Sequence, residues 1–237
     1  MQDISTLGLA LAFLPVFGVI WILYVWGIGA RLSCYAVLRM LTQLLLIGYV
    51  LIYVFRAQTG GIIVGVVASM IVISGWIALR TVPTKRWPLY SRAALAIAIG
   101  GGSVLVLITQ VVLKLDRWYE PTFVVPLAGM IFAGSMNSVS LSAERIYSEL
   151  AGGATYEDAR RCALNAALIP ITNSLFAVGL VSLPGMMTGQ ILAGVSPILA
   201  ARYQIMVMCM AFAAAGLSAA VFLWLIRSLA AADKKSP

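Results

Sequence analysis

The sequence predicts an all-α polytopic membrane protein with about seven transmembrane helices, the N-terminus outside and the C-terminus in the cytoplasm. Hydrophobic residues make up 62% of the chain and charged residues only 10%, and the mean hydropathy is +1.01. Soluble proteins are about half apolar and about a quarter charged. Lipid offers no hydrogen-bond partners to the backbone, so long apolar runs in a bilayer are expected to be helices.

Seven apolar runs have about the length that crosses a bilayer. They cover residues 6–28, 36–55, 62–79, 93–113, 122–141, 166–183 and 205–226. The connections between them are short, except for the polar stretch 142–165. The whole chain, 1–237, is therefore predicted to form a single transmembrane domain.

The positive charges predict the orientation. With the N-terminus outside, 12 of the 16 Lys and Arg residues fall on the cytoplasmic side and 4 outside. Cytoplasmic loops of membrane proteins carry such an excess. The net charge of +8 is spread through short gaps between apolar runs, so it predicts contact with a lipid bilayer and no nucleic-acid partner.

Several classes of chemistry are missing from the sequence. There is no histidine, which excludes a histidine relay or a His-ligated metal centre within this chain. The predicted spans contain no Asp or Glu, whereas ion-coupled carriers usually keep one there. Cys34, Cys162 and Cys209 match no disulfide or zinc pattern. No G-x-x-x-x-G-K-[ST] phosphate loop is present, so we expect neither an enzyme nor a cofactor in this chain.

Polar residues inside the predicted spans are candidates for a solute path. Arg39 and Gln43 lie one turn apart, and they either anchor the second span at the interface or contribute to the path. Three serines at spacings of three and four share one face of the fifth span, where they either pack against a helix or line a pore; they are Ser135, Ser138 and Ser142. The full candidate set is Arg39, Gln43, Asn137, Ser138, Asn173 and Ser182, with Asn137 the best solute contact in the fifth span.

Pro184 and Gly185 follow the sixth predicted span, and this pair is predicted to end or kink its helix. Met186 and Met187 come directly afterwards. Thioethers bind soft metals, although adjacent methionines on an apolar segment more often pack. The metal ligands therefore stay unknown from the sequence, with these two methionines as the candidates.

The stretch 142–165 has the pattern of a helix–turn–helix on the cytoplasmic side. Gly152 and Gly153 are expected to end the first helix, and Thr155 is a favourable N-cap for the second helix. The alternative is a plain solvated loop, but because the other connections are minimal, the length of this one and its small-residue turn predict that something docks there. Glu149, Gly152, Gly153, Ala154 and Thr155 lie at this predicted turn.

This stretch resembles the coupling loop of ABC importer-like permeases, because Glu149 and Gly153-Ala154-Thr155 precede Ala167-Leu-Ile-Pro170. A longer match covers nearly the whole chain and resembles the FetB-type ABC transporter permease family, which includes bacterial iron-export permeases and plant aluminium-sensitivity proteins. The matching segments are Arg39 to Gln43, 126–130, 136–137, 166–174, 178–194 and 202–206. Relative to that family, the loop before Gly152 looks shortened.

The resemblance implies a homodimeric permease of the bacterial inner membrane that works with a separate cytoplasmic ABC ATPase, which would hold the ATP and Mg²⁺. It also implies export of iron or another metal, with 142–165 as the coupling loop. Other possibilities stay open at this point: an ATP-independent carrier or channel, a nucleotide-sugar ABC transporter, or a membrane scaffold that transports nothing.

Overall fold

The computed structural model describes residues 5–56, 59–82 and 86–229. The chain divides into two compact units, Met1–Arg56 and Ala57–Pro237, each of which is considered by itself. The single transmembrane domain stays a prediction. Lys85, Lys234 and Lys235, which were counted among the cytoplasmic charges, lie outside the described residues, and the orientation also stays a prediction.

The first unit contains three helices, α1 (Thr6–Leu11), α2 (Leu14–Val25) and α3 (Ala30–Phe55). The Ser5 hydroxyl caps α1 by accepting the Gly8 amide at 3.1 Å. The predicted first span is thus one apolar segment made of two helices. No residue of α1 or α2 is buried. Helices that are apolar on all sides and unburied suit contact with lipid.

The second unit begins with α4 (Gly60–Ala78), which a 3₁₀ turn, Leu79–Thr81, extends. The remaining helices are α5 (Arg86–Val106) with a π-helical extension (Leu107–Val112), α6 (Pro121–Ala151), α7 (Tyr156–Ala177), α8 (Gly185–Leu192) and α9 (Pro197–Leu225). Helices α5, α6 and α9 pack on one another to form the core. Helix α4 packs against α5 and α6, α7 packs against α6 and α9, and α8 packs against α9.

Small residues bring α5 and α9 into close contact. A Cβ atom added at Gly100 would lie 2.5 Å from the backbone nitrogen of Ser218. The Ser218 hydroxyl donates to the Ser135 hydroxyl at 2.9 Å, and the Ser135 hydroxyl donates to the Ala214 carbonyl at 3.3 Å. The glycine and the linked serines therefore join three helices where larger side chains would not fit.

In the described residues, six helical segments are long and apolar enough to cross a membrane, which confirms the all-α polytopic fold. They are Thr6–Val25, Ala30–Phe55, Gly60–Thr81, Arg86–Val112, Pro121–Ala151 and Pro197–Leu229. The predicted sixth span, 166–183, has no counterpart among them. Helix α7 has 22 residues, enough for a span, but Arg160, Arg161 and several polar side chains lower its hydropathy.

The predicted end of this helix is wrong. Helix α7 ends at Ala177, before Pro184 and Gly185, because the chain turns at Gly179, whose φ of +84° few other residues adopt. The turn is closed by the Gly179 amide, which donates to the Ser182 carbonyl at 2.9 Å. Pro184 instead precedes the first residue of α8.

Candidate functional site

A small groove opens between α6, α7 and α9, with a volume of about 170 Å³. Three polar side chains line it: Asn137 and Ser138 from α6, and Ser174 from α7. The other lining residues are Gly134, Leu141, Ala167, Pro170, Ile171, Ala211 and Ala215. The groove is thus an apolar cleft with a polar strip. A cleft of this kind is a better candidate for a solute path than a fully apolar helix interface.

Local sequence explains how the groove forms. Gly134 has no side chain, and a Cβ atom added there would meet no other atom within 4 Å. Pro170 has no N–H to donate to the preceding turn of α7. One turn later the Ser174 hydroxyl donates to the Pro170 carbonyl at 3.0 Å. The Ser138 hydroxyl donates to the Ala167 carbonyl at 3.5 Å, linking α6 to α7 at the groove.

The structure separates the three serines of the fifth span. All three serines are buried, but of the three only Ser138 lines the groove. Ser135 bonds to α9, and Ser142 donates to the Val139 carbonyl of its own helix at 3.0 Å. The pore-lining alternative is therefore wrong for Ser135 and Ser142, because their face of α6 packs into the core.

Of the other candidates for a solute path, Asn137 lines the groove with its side chain exposed. Asn173 is exposed on α7 and Ser182 lies in the turn after that helix, and neither lines the groove. Arg39 and Gln43 are exposed on α3, in the first unit, and their role in the path stays a prediction.

The turn between α6 and α7 is tightly ordered, which confirms the predicted helix–turn–helix. The Ala154 amide donates to the Glu149 carbonyl and the Gly153 amide to the Leu150 carbonyl, both at 3.1 Å. This pair of bonds is a Schellman motif, and Gly153 supplies its left-handed residue with a φ of +88°. The Thr155 hydroxyl then caps α7 by accepting the Asp158 amide at 3.2 Å. The turn between the two helices is therefore short and rigid.

Helix α6 carries this turn away from the apolar part of the chain. Its 31 residues span about 46 Å, whereas the hydrocarbon core of a bilayer is about 30 Å thick. The helix continues past residue 141, the end of the predicted fifth span, to Ala151. Arg145 and Glu149 form an ion pair of 2.5 Å on this extension. We define residues 142–165 as the α6–α7 hairpin.

Tyr156 ties the hairpin to α9, because its hydroxyl donates to the Leu223 carbonyl. Burial raises the pKa of the Tyr156 phenol above its usual 10.0, and the nearby positive charges of Arg160 and Arg227 offset part of that rise. The neutral phenol is therefore favoured in the folded state. The tie connects the hairpin directly to a helix that lines the groove.

Replacing Tyr156 by Phe should lower the free energy of unfolding by about 1 kcal/mol, the usual net worth of one hydrogen bond. A raised folded-state pKa adds stability that is complete below about pH 10 and is lost as pH rises through the higher folded pKa. The wild-type chain should therefore lose stability above pH 10 more steeply than Tyr156→Phe. Thermal unfolding between pH 8 and pH 11 tests this. Tyr24→Phe is the control, because Tyr24 is exposed. Identical profiles of stability against pH for the wild type and Tyr156→Phe would contradict the prediction.

Sequence reasoning missed several of these residues. Ser174 has a visible signal, since it stands four residues after a proline within a helix. Gly100 also has one, because three glycines in a row inside an apolar span indicate close packing. Thr109 and Gln110 lie in the π-helical extension of α5, where the Gln110 amide donates to the Thr109 hydroxyl at 3.2 Å. Such extensions are common at functional sites, but no sequence pattern marks this one.

The two methionines of α8 differ in their surroundings. Met187 lines a second cavity, beside α9, whereas Met186 does not. Within the described part of the chain, no group of three or more His, Cys, Asp or Glu residues could hold a metal ion. A metal site in the described residues would therefore need donors of other types beside any of these four.

Together the apolar helices, the groove and the ordered hairpin define a polytopic membrane protein with a candidate solute path. Residues 4–230 match the family model described as "Uncharacterised protein family (UPF0014)". The chain belongs to this family of membrane proteins.

Similar proteins include a UPF0014 membrane protein from Synechocystis sp., 36% identical over 72% of this chain and 71% of the relative. The "Probable iron export permease protein FetB" of Escherichia coli is 35% identical over 79% of this chain and 76% of its own length. "Protein ALUMINUM SENSITIVE 3" of Arabidopsis thaliana is 31% identical over 78% and 71%. No solved structure matches the chain. The relative from Escherichia coli is named as a permease, which is a transporter rather than an enzyme.

Proposed function

We propose that this chain is the membrane-spanning subunit of an ABC exporter for iron or another metal. It works as a homodimer in a bacterial inner membrane, and each copy pairs with a separate cytoplasmic ATPase that holds ATP and Mg²⁺. The observation that carries the proposal is the ordered α6–α7 hairpin, which extends beyond the apolar length of α6 and joins the two helices that line the groove.

The hairpin has the mechanical properties that coupling requires. Its turn is fixed by the Schellman motif and by the Thr155 cap, so a push on the turn moves α6 and α7 as rigid rods. Both helices line the groove. Closure of the ATPases against Glu149, Gly152, Gly153, Ala154 and Thr155 would therefore change the width of the groove. Such a movement would be a rigid-body transition.

The choice of cargo is supported by similarity. The relative from Escherichia coli is named as a probable iron export permease, and it matches over most of both chains. Weak and transient ligands suit an exporter, because a tightly held cargo would not leave. The exposed amide of Asn137 and the hydroxyls of Ser138 and Ser174 are ligands of this kind.

The groove predicts which asparagine matters. Replacing Asn137 by Leu should lower metal efflux by about tenfold, because an apolar side chain removes the exposed polar group of the strip and narrows the groove. Asn173→Leu is the matched control, since Asn173 is also exposed but lies outside the groove. Loss of intracellular metal, followed after metal loading of cells, measures the effect. Equal efflux by both variants would contradict a transport role for the groove.

A further inference from the structure

A second cavity, of about 440 Å³, lies between the end of α7, α8 and the first half of α9. Its lining is apolar except for one amide and three sulfur-bearing side chains. These are Gln204, Met208 and Cys209 on α9 and Met187 on α8. We define this set as the sulfur cavity. It shares no lining residue with the groove.

The sulfur donors come from two helices that pack against each other. Met208 and Cys209 are consecutive residues of α9, and Met187 lines the same cavity from α8, which packs on α9. The Cys209 side chain is exposed at the surface of α9, so the described residues do not enclose the cavity on that side. Three sulfur atoms in an apolar cavity provide soft, polarisable ligands and little else.

Gln204 gives an independent sign that the cavity is made for a ligand. Its side chain is 94% buried, since only 6% is exposed. In the part of the chain that the structure describes, its Oε1 atom has no hydrogen-bond partner. An unpartnered buried amide oxygen costs about 1–3 kcal/mol. Gln204 precedes Met208 by one helical turn, so both side chains lie on the same face of α9.

We propose that the sulfur cavity binds one soft monovalent cation, of the Cu(I) or Ag(I) class. The Cys209 sulfur loses its proton to solvent and binds the cation as a thiolate, while the thioethers of Met187 and Met208 complete a three-sulfur site. The Gln204 amide lies beside this site and orients toward the bound charge. Thiolate and thioether ligands select such cations over Fe²⁺ and other harder ions.

Charge balance supports a monovalent ion. A monovalent cation and one thiolate sum to zero, so the filled site places no net charge in apolar surroundings. A divalent cation on the same ligands would leave one uncompensated positive charge, which is costly to bury. The described lining residues include no acidic side chain that would offset it.

As a statement about cargo, this inference rests on the transport function proposed above. Binding itself does not, because it needs neither ATP nor the ATPase. A failure to bind the cation would leave the ABC proposal intact, and the absence of an ATPase would leave the binding site intact.

The test is a titration of the purified full-length chain with Ag⁺, a redox-stable probe of this class. Cys34→Ser and Cys162→Ser are introduced first, which leaves Cys209 as the one thiol among the 3 cysteines. We expect one saturable site per chain in calorimetry, with no competition from equal concentrations of Fe²⁺. Cys209→Ser, Met187→Leu and Met208→Leu should each weaken binding by about tenfold or more.

Met186→Leu is the matched control, because Met186 is the neighbour of Met187 and does not line the cavity. It should bind Ag⁺ like the reference chain. Leucine has nearly the volume of methionine, so these variants are expected to fold, and gel filtration checks this. The proposal is overturned if Met186→Leu weakens binding as much as Met187→Leu, if Cys209→Ser binds normally, or if no saturable site is found.

Discussion

Replacing Gly100 by Leu is expected to prevent the folded protein from accumulating. A Cβ atom at this position would lie 2.5 Å from the backbone nitrogen, 2.6 Å from the Oγ atom and 2.7 Å from the Cα atom of Ser218. Two of these atoms belong to the backbone of α9, which cannot yield without separating the helices. Even Gly100→Ala should cost about 1–3 kcal/mol by overpacking, and the remaining leucine carbons have nowhere to go.

Gly102 provides the matched control within the same run of glycines, because an added Cβ atom there meets nothing within 4 Å. Gly102→Leu should accumulate and unfold like the wild type. Fluorescence-detected gel filtration measures the amount of monodisperse protein, and a thermal scan measures its stability. If Gly100→Leu behaves like Gly102→Leu, the close packing of α5 on α9 is not the basis of the core.

Replacing Gly153 by Val is expected to separate ATP hydrolysis from transport. Gly153 has a φ of +88°, and a β-branched residue there is strained by about 1–2 kcal/mol. The strain distorts the turn on which the ATPase is proposed to push. Because about 1.4 kcal/mol corresponds to a tenfold change, efflux should fall by about tenfold while ATP hydrolysis by the complex continues.

The neighbouring glycine serves as the control. Gly152 has a φ of −75°, and a Cβ atom there would make ordinary contact with the Glu149 carbonyl at 3.4 Å. Gly152→Ala should therefore keep the backbone of the turn, and its efflux should fall much less than that of Gly153→Val. Both variants are compared in vesicles that contain the permease and its ATPase, with hydrolysis and efflux measured together. Unchanged efflux by Gly153→Val would remove the coupling role from the α6–α7 hairpin.

The parts of the fold that depend on local signals could be predicted from the sequence. The length and apolarity of the runs predicted the membrane helices. The adjacent glycines and the Thr155 cap predicted the α6–α7 turn, since both act within a few residues. The predicted end of α7 was wrong because the Pro184-Gly185 pair is a stronger helix-breaking signal in the sequence than Gly179. The left-handed backbone at Gly179 is visible only in the folded turn.

The candidate sites depend on contacts between distant residues, which one sequence does not contain. Asn137 and Ser138 were recognised as polar residues in an apolar span. Ser174, which lines the same groove, comes from another helix. Ser135 has the same chemistry as Ser138, yet it bonds to α9 and does not line the groove. Met187 differs from Met186 only through the position of α8 on α9.

The most direct test of the proposed function is the composition of the complex. The chain is tagged in its native host, extracted gently from the membrane, and the proteins that copurify with it are quantified. The ABC proposal predicts a cytoplasmic ATPase in amounts equimolar with the permease. Repeated recovery of the intact chain without any ATPase would contradict it, and an ATP-independent carrier would then be the better account.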